Sequence, residues 1–397
     1  MTPKANEWSA VAQKRVLEKK THVSFPQLKY PSLRDSGFKD PVQWLAGKVL
    51  DDGAEGLWRI HDKLYDLTSF IKKHPGGEEW LELTKGTDIT EAFESHHLKP
   101  STEKLLDKFY IKDAVTPRNS PFTFKEDGFY RTLKRLVYEE LKRIPKDANK
   151  TSDRITDGLF IVLLCCSSLA SWVTVYWLSV LWCVVAAVSL ALLTVTCHNF
   201  IHRRTNWRMF LFNMSMWSYR FLSVFLRRGF FKAHYGWHDA IGFTLPFIMW
   251  LTSGAPFLHV VYTWMWINCT GSLLFFLIAV NAAHHHPDAI KDGDQPSTET
   301  PDWGEHQLEA LLDRKDVNSN SFGVATLFGD HALHHMFPTL DHAVLKYLHP
   351  IFIEHCKLFE ANYRVSTQFK MVVGQFEEVM RTRFQTSDER KIKSLRD

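Results

Sequence analysis

Two long apolar stretches interrupt an otherwise polar chain. Residues 158–197, GLFIVLLCCSSLASWVTVYWLSVLWCVVAAVSLALLTVTC, contain no Asp, Glu, Lys, Arg or His. Residues 241–283 again lack Asp, Glu, Lys and Arg, and His259 is their one imidazole. A helix crosses a bilayer with about 20 apolar residues, so each stretch is long enough for two crossings. The pattern predicts four transmembrane helices in two hairpins, 158–197 and 241–283. Between them, residues 198–240 carry Arg203, Arg204, Arg208, Arg220, Arg227, Arg228 and Lys232 against one acidic residue, Asp239. Positive charge gathers on the cytosolic side of membranes, which puts this loop in the cytosol and both termini with it.

The flanking regions have shorter periods. Residues 1–37 form a polar N-terminal extension, and no cleavable signal is expected in MTPKANEWSAVAQKRVLEKK. Residues 38–115 mix strand-like pieces, GKVLDD and LWRIHDKLYDL, with polar helices, as in a small α+β domain. TPRNSPFTFKED, residues 116–127, is turn-rich and opens a linker that runs to residue 157. Within that linker Phe129, Leu133, Leu136, Val137, Leu141 and Ile144 recur at helical spacing, with Lys134, Arg135, Lys142 and Arg143 on the other face. The spacing fits a helix on the membrane surface or a solvated connector. Residues 284–397 are polar and helix-rich. The charge balance of +4, with 23% charged residues, gives no case for nucleic acid. Five of the six cysteines lie in the apolar stretches, so no disulfide framework is expected.

Candidate chemistry begins with HPGGEEW at 74–80. A histidine before Pro-Gly-Gly sits on a tight turn, and the glycines let the backbone pass close to a bulky flat ligand. About 20 residues on, DITEAFESHHL supplies His96 and His97. Two loops that each offer an imidazole to a shared slot describe a six-coordinate haem, which has no open position and moves single electrons. Residues 41–113 are similar to cytochrome b5 nearly throughout. The resemblance implies haem b with His74 as one axial ligand and His97, four residues after Phe93, as the other, with His96 as the fallback. It also implies Phe70 and Leu81 as walls of the haem pocket.

Three further histidine clusters follow. HNFIH at 198–202 begins where the second predicted span ends, with His198 and His202 one helical turn apart. NAAHHHPD at 281–288 comes where the fourth ends, and offers Asn281, His284, His285 and His286. HALHHMFP at 331–338 places His331, His334 and His335 at i, i+3 and i+4, which on a helix gives one face. Two of the clusters are at span exits on one side of the membrane, so all three converge only there. Imidazole clusters suit iron, copper or zinc. HALHH has Ala332 where the zinc hydrolases carry a glutamate, so that chemistry is not indicated.

With HPGG, HNFIH, NAAHHHPDAIKDGD, DWGEHQLE and HALHHMFPTLDHAVL together, residues 40–360 resemble the membrane fatty acid desaturases with a fused cytochrome b5, and among these the insect cytochrome b5-related proteins. The resemblance implies an α+β haem domain joined to an all-α membrane domain over residues 158–397. It implies two non-haem iron ions held by His198, His202, His285, His331, His334 and His335, with Asn281 and His306 around them. It also implies an acyl-CoA or phospholipid acyl chain as substrate, an NAD(P)H-dependent cytochrome b5 reductase as electron source, and the endoplasmic reticulum membrane as location. One departure is large. The family's second histidine box, HxxHH, belongs some 30 residues after the first, and residues 203–233 contain no histidine. His234, His238 and His284 are the candidate substitutes. An acyl-chain desaturase, a lipid hydroxylase and a membrane haem electron carrier without its irons are the three readings that follow.

Overall fold

The computed structural model describes residues 19–22, 24, 25, 27–31, 41–203, 206–215 and 237–389. A short hairpin, β1 (Lys19–Thr21) and β2 (Lys29–Pro31), precedes the haem-domain candidate. That domain runs α1 (Pro41–Asp51), β3 (Trp58–Ile60), β4 (Lys63–Tyr65), α2 (Glu78–Thr84), α3 (Thr90–His96), α4 (Pro100–Leu106) and β5 (Tyr110–Asp113). Its three strands form an antiparallel sheet in the order β3-β4-β5, with Trp58 opposite Tyr65 and Lys63 opposite Asp113. Trp58, Ile60, Tyr65, Leu67, Leu81 and Phe93 make its core.

The remainder is helical: α5 (Phe129–Leu141), α6 (Lys150–Trp172), α7 (Tyr176–Arg203), α8 (Thr244–Ser253), α9 (Phe257–Leu274) and α10 (Asn281–His284). Then come α11 (Trp303–Ala310), β6 (Asp313–Arg314), α12 (Ser321–Thr326), α13 (His331–Met336), α14 (His342–Leu358), β7 (Val365–Ser366) and α15 (Gln368–Val379). A π-helical turn, Phe275–Val280, joins α9 to α10.

Among the described residues three helices are long and apolar enough to cross a membrane: Lys150–Trp172, Tyr176–Arg203 and Phe257–Ala279. The fourth expected span is shorter, an apolar helix over Ala240–Ser253. Gly254 ends it in the left-handed conformation, and Pro256 caps the next helix, so the second apolar stretch breaks into unequal parts. The short helix still reaches the far end of the bundle, where Thr252 Oγ1 lies 2.8 Å from Ser168 Oγ. Trp172, Tyr176, Trp177 and Phe257 are exposed at that end, the placement of an interfacial aromatic belt. Inside the bundle α7 and α9 pack closely at Gly271, where a Cβ would stand 3.0 Å from the Ala187 carbonyl oxygen.

The amphipathic helix of the linker, α5, lays its apolar face against the protein. Phe129, Tyr130, Leu133 and Val137 are buried in one core with Leu333, Phe337, Leu345, Leu348 and Phe352. The polar tail folds back over α5, and a single apolar stripe cannot tell a protein partner from a lipid one.

Candidate haem pocket and histidine centre

His74 and His97 face each other with ring centroids 6.2 Å apart. Each ring is held by its Nδ1, which pairs with the Gly77 carbonyl in His74 (2.8 Å) and with the Phe93 carbonyl in His97 (2.9 Å). That leaves both Nε2 atoms for a shared ligand. Two imidazoles bound to one metal at about 2.0–2.1 Å each place their ring centres about 6 Å apart, so the pair fits an axially coordinated haem iron. Gly76 lies against the His74 ring, where a Cβ would come within 2.9 Å of Cε1. Burial pushes the His97 imidazole down to about 4, which keeps it in the neutral, ligating form. Phe70 stands edge-on to His74 at 6.1 Å, and Leu81 belongs to the domain core. His96 turns the other way, towards His202, at 6.5 Å between ring centroids.

Six further histidines gather into two triads. His198 Nε2 lies 3.0 Å from His202 Nε2 and 3.3 Å from His334 Nε2. His331 Nε2 lies 3.1 Å from His284 Nε2, and the His335 ring stands 4.6 Å from that of His331 and 4.9 Å from that of His284. In each triad the donor nitrogens lie within 4.8 Å of one another. Neutral imidazoles carry one N–H apiece, so three nitrogens closing on one point cannot all be satisfied by each other. A cation at that point resolves the conflict, and the all-imidazole donor set fits a first-row transition metal such as iron. Burial drives His335 down to about 3 and His284 to about 4, so both remain neutral.

HALHH therefore serves two sites rather than one face. His331 and His335, a full turn apart, share a triad, and His334 turns to the other, its ring 5.9 Å from that of His331. At the span exit His284, not His285, enters the centre. His284 ends α10 and is partly buried, whereas His285, the next residue, is exposed. Adjacent helical positions differ by about 100°, so only one of the two can face inward. The side chain of Asn281 and all of His234 lie outside the described residues. His238 stacks on Phe210 at 6.1 Å and belongs to neither triad. His306 packs against Phe122 (4.8 Å) and Phe25 (5.8 Å), with neither triad touching it among these ring contacts.

Several supporting residues were not among the candidate site residues of the sequence. His342 is buried behind the first triad, its Nε2 3.2 Å from His334 Nδ1, so it orients that ring from the far side. Asp341 accepts from Ser152 Oγ at 2.5 Å and Asn199 Nδ2 at 3.1 Å, and it pairs with Arg203. It thus ties the HNFIH helix to the third cluster. Asp313 caps α13 through the amides of His331 (2.6 Å) and Ala332 (3.3 Å). Tyr130 bridges the centres: its hydroxyl is 2.8 Å from the Glu94 carbonyl and 3.2 Å from that of Met336. Glu94, wholly buried on α3, is hydrogen-bonded by His61 at 2.6 Å and Lys134 at 2.7 Å and paired with Arg131.

Fold and site together define a membrane-associated haem protein with an N-terminal cytochrome b5 domain and a helical domain bearing histidine triads. Residues 46–115 match the cytochrome b5-like heme/steroid binding domain. The cytochrome b5-related protein of Drosophila melanogaster is 36% identical over 416 aligned positions, covering 89% of this chain and 94% of the relative. The Drosophila virilis protein of that name is 50% identical over 131 positions, 33% of this chain and 91% of the relative. The chain belongs to the cytochrome b5-related protein family. It is also similar to the probable Delta(5) fatty acid desaturase C of Dictyostelium discoideum, 37% identical over 28% of this chain and 24% of that protein. No solved structure gives a significant match.

Proposed function

We propose that this protein is a membrane oxidoreductase of lipid metabolism, of the acyl-chain desaturase type, that receives electrons through its own haem domain. The observation that carries the reading is that the residue after His96, which stands against His202, is the haem-facing His97. A single helix, α3, thus serves a one-electron site and a neighbouring imidazole centre at the end of apolar spans. His74 and His97 would hold haem b, which supplies single-electron transfer. His198, His202 and His334 would hold one non-haem iron and His284, His331 and His335 another, and such a pair supplies oxygen activation. Desaturation removes two hydrogens from an acyl chain, consumes one O2, two electrons and two protons, and releases two waters. An NAD(P)H-dependent cytochrome b5 reductase would supply the electrons, and an acyl-CoA or phospholipid chain the C–H bonds. The protein's own residues keep the imidazoles buried and neutral, orient His334 through His342, and fix the two centres through Tyr130 and Glu94. The proposed setting is the endoplasmic reticulum membrane with both termini cytosolic.

One observation favours a second reading. Residues 203–233 hold no histidine, and His238 lies outside both triads, so each triad has three imidazoles and no more among the described residues. A chain with too few ligands would be a membrane haem electron carrier. Non-haem iron per haem in purified protein, with product analysis on acyl lipids, decides. Two irons per haem and a new double bond support the desaturase. Haem without non-haem iron supports the carrier, and a hydroxylated product makes it a hydroxylase.

A further inference from the structure

One helix outside the apolar spans, α15, carries an exposed apolar face that the histidine chemistry does not use. Phe369, Val373, Phe376 and Met380 are 76%, 39%, 56% and 71% exposed. At 100° per residue these positions fall within an arc of about 60°. The opposite face of the helix is covered: Met371, Gly374, Gln375 and Glu378 are buried. Gly374 packs so closely on the His286 ring that a Cβ would overlap it. Lys370 and Glu377 border one side of the apolar stripe. The helix is therefore held by the protein on one side and presents large apolar side chains on the other.

What covers the open side follows from where the helix sits. Gln368 Nε2 donates to the Ile278 carbonyl at 2.8 Å and Gln375 Nε2 to the Leu277 carbonyl at 2.9 Å. Both carbonyls belong to the π-helical turn that ends the membrane-crossing segment Phe257–Ala279. Leu273 and Phe276, just before those carbonyls, are themselves exposed apolar residues of that segment. The stripe is thus carried by a helix bonded to the histidine-bearing end of that span. An exposed apolar patch of this kind marks an interaction surface, and two phenylalanines bordered on one side by charged residues suit the boundary between headgroups and acyl chains.

We propose that α15 lies in the membrane interface, with Phe369, Val373, Phe376 and Met380 buried among lipid at the mouth of the third long span. The helix then holds the loop bearing His284 and His286 against the bilayer surface. The proposal does not depend on which metal the triads bind.

The test uses the full haem-loaded chain in vesicles of phosphatidylcholine and phosphatidylethanolamine, with Cys165 and Cys269 replaced by serine. Nitroxide labels are placed singly at 369, 373, 376 and 380, and at 370 and 377 as controls, and only preparations with an unaltered haem spectrum are read. The expected result is several-fold greater accessibility to dissolved oxygen, relative to a water-soluble nickel chelate, at the four stripe positions than at 370 and 377. Higher nickel accessibility along the stripe would place it in water. Exclusion of both reagents would place it against protein, either a second copy or another segment of this chain. Either result overturns the proposal. The unlabelled chain gives an independent reading: a lipid-dissolved carbene precursor is expected to modify the 368–380 peptide, and its absence from that peptide also overturns the assignment.

Discussion

The rings of His96 and His202 stand 6.5 Å apart although they come from different domains. His96 and His97 are adjacent in sequence yet point in opposite directions, one to the histidine centre and the other to His74. The two histidines, ranked by the resemblance with His97 first and His96 as the fallback, are thus separated by direction. On the proposed function His97 ligates the haem and His96 does not. His97→Ala is expected to abolish the low-spin six-coordinate spectrum, whereas His96→Ala keeps it with one haem per chain. Absorption and electron paramagnetic resonance spectra of the two variants check this, and loss of low-spin haem in His96→Ala alone would reverse the assignment.

The second triad makes a similar choice between neighbours. His284 approaches His331 to 3.1 Å, while His285 is exposed. His284→Ala is expected to reduce bound transition metal from two ions per haem towards one, and His285→Ala to leave it unchanged. Elemental analysis of purified protein normalised to haem gives the answer. Chelator treatment should strip the ions in both proteins without loss of the haem spectrum.

Glu94 holds the haem domain to the rest of the chain. Its buried carboxylate faces His61, Arg131 and Lys134. Burial alone would raise it, but the His61 hydrogen bond and the charges of Lys134 and Arg131 outweigh burial and hold it at about 2. Removing one partner of a buried ionic cluster costs about 3–5 kcal/mol, because the remaining charges stay buried and unpaired. Glu94→Ala should lower the thermal midpoint of haem release and open residues 116–127 to trypsin. The folded value lies below the unfolded one of 4.5, so this contribution is complete above pH about 4.5 and is lost as pH falls towards 2. An unchanged midpoint in Glu94→Ala would show that the cluster contributes nothing.

The parts of this structure legible in the sequence are those in which spacing and chemistry coincide. HPGG and the His96–His97 pair mark the haem domain because a tight turn, two glycines and two imidazoles serve one flat ligand. HNFIH and HALHH mark the histidine centre because their spacings repeat the helical turn. The choice of His284 over His285 was not legible, since it depends on where the π-helical turn Phe275–Val280 leaves the phase of α10. Nor was the bridging role of Tyr130, whose two partners lie 36 and 206 residues away in sequence. The apolar stripe of α15 has the same period as that of α5, and only tertiary structure shows which one is covered.

Topology gives a fourth prediction. The α7 and α9 segments both end at the histidine centre, and the far end of α8 lies beside that of α6 at Ser168. The chain therefore passes between the two ends an even number of times from Lys150 to His284, despite the shortness of α8. Tags at the two termini are expected to be accessible from the same, cytosolic, side of sealed microsomes. Protection of one tag and exposure of the other would mean that α8 does not cross.

The last prediction separates a core helix from a membrane-surface helix at α5. Leu133 is fully buried among Leu333, Phe337 and Leu345, while Leu136, on the same helix, is about half exposed. Truncating a buried leucine removes its transfer free energy and leaves a cavity, which costs about 2–5 kcal/mol. An exposed surface position away from such features costs less than about 0.5 kcal/mol. Leu133→Ala should therefore lower the denaturation midpoint of the detergent-solubilised protein, in which no bilayer is present, and Leu136→Ala should not. A helix held only by lipid would behave otherwise: neither substitution would matter in detergent, and both would weaken its protection in vesicles. Thermal unfolding followed by haem absorbance in detergent, beside hydrogen exchange of residues 129–141 in vesicles, distinguishes the two. A midpoint in detergent that Leu133→Ala leaves unchanged would detach α5 from the core in which Tyr130 links the haem domain to the histidine centre.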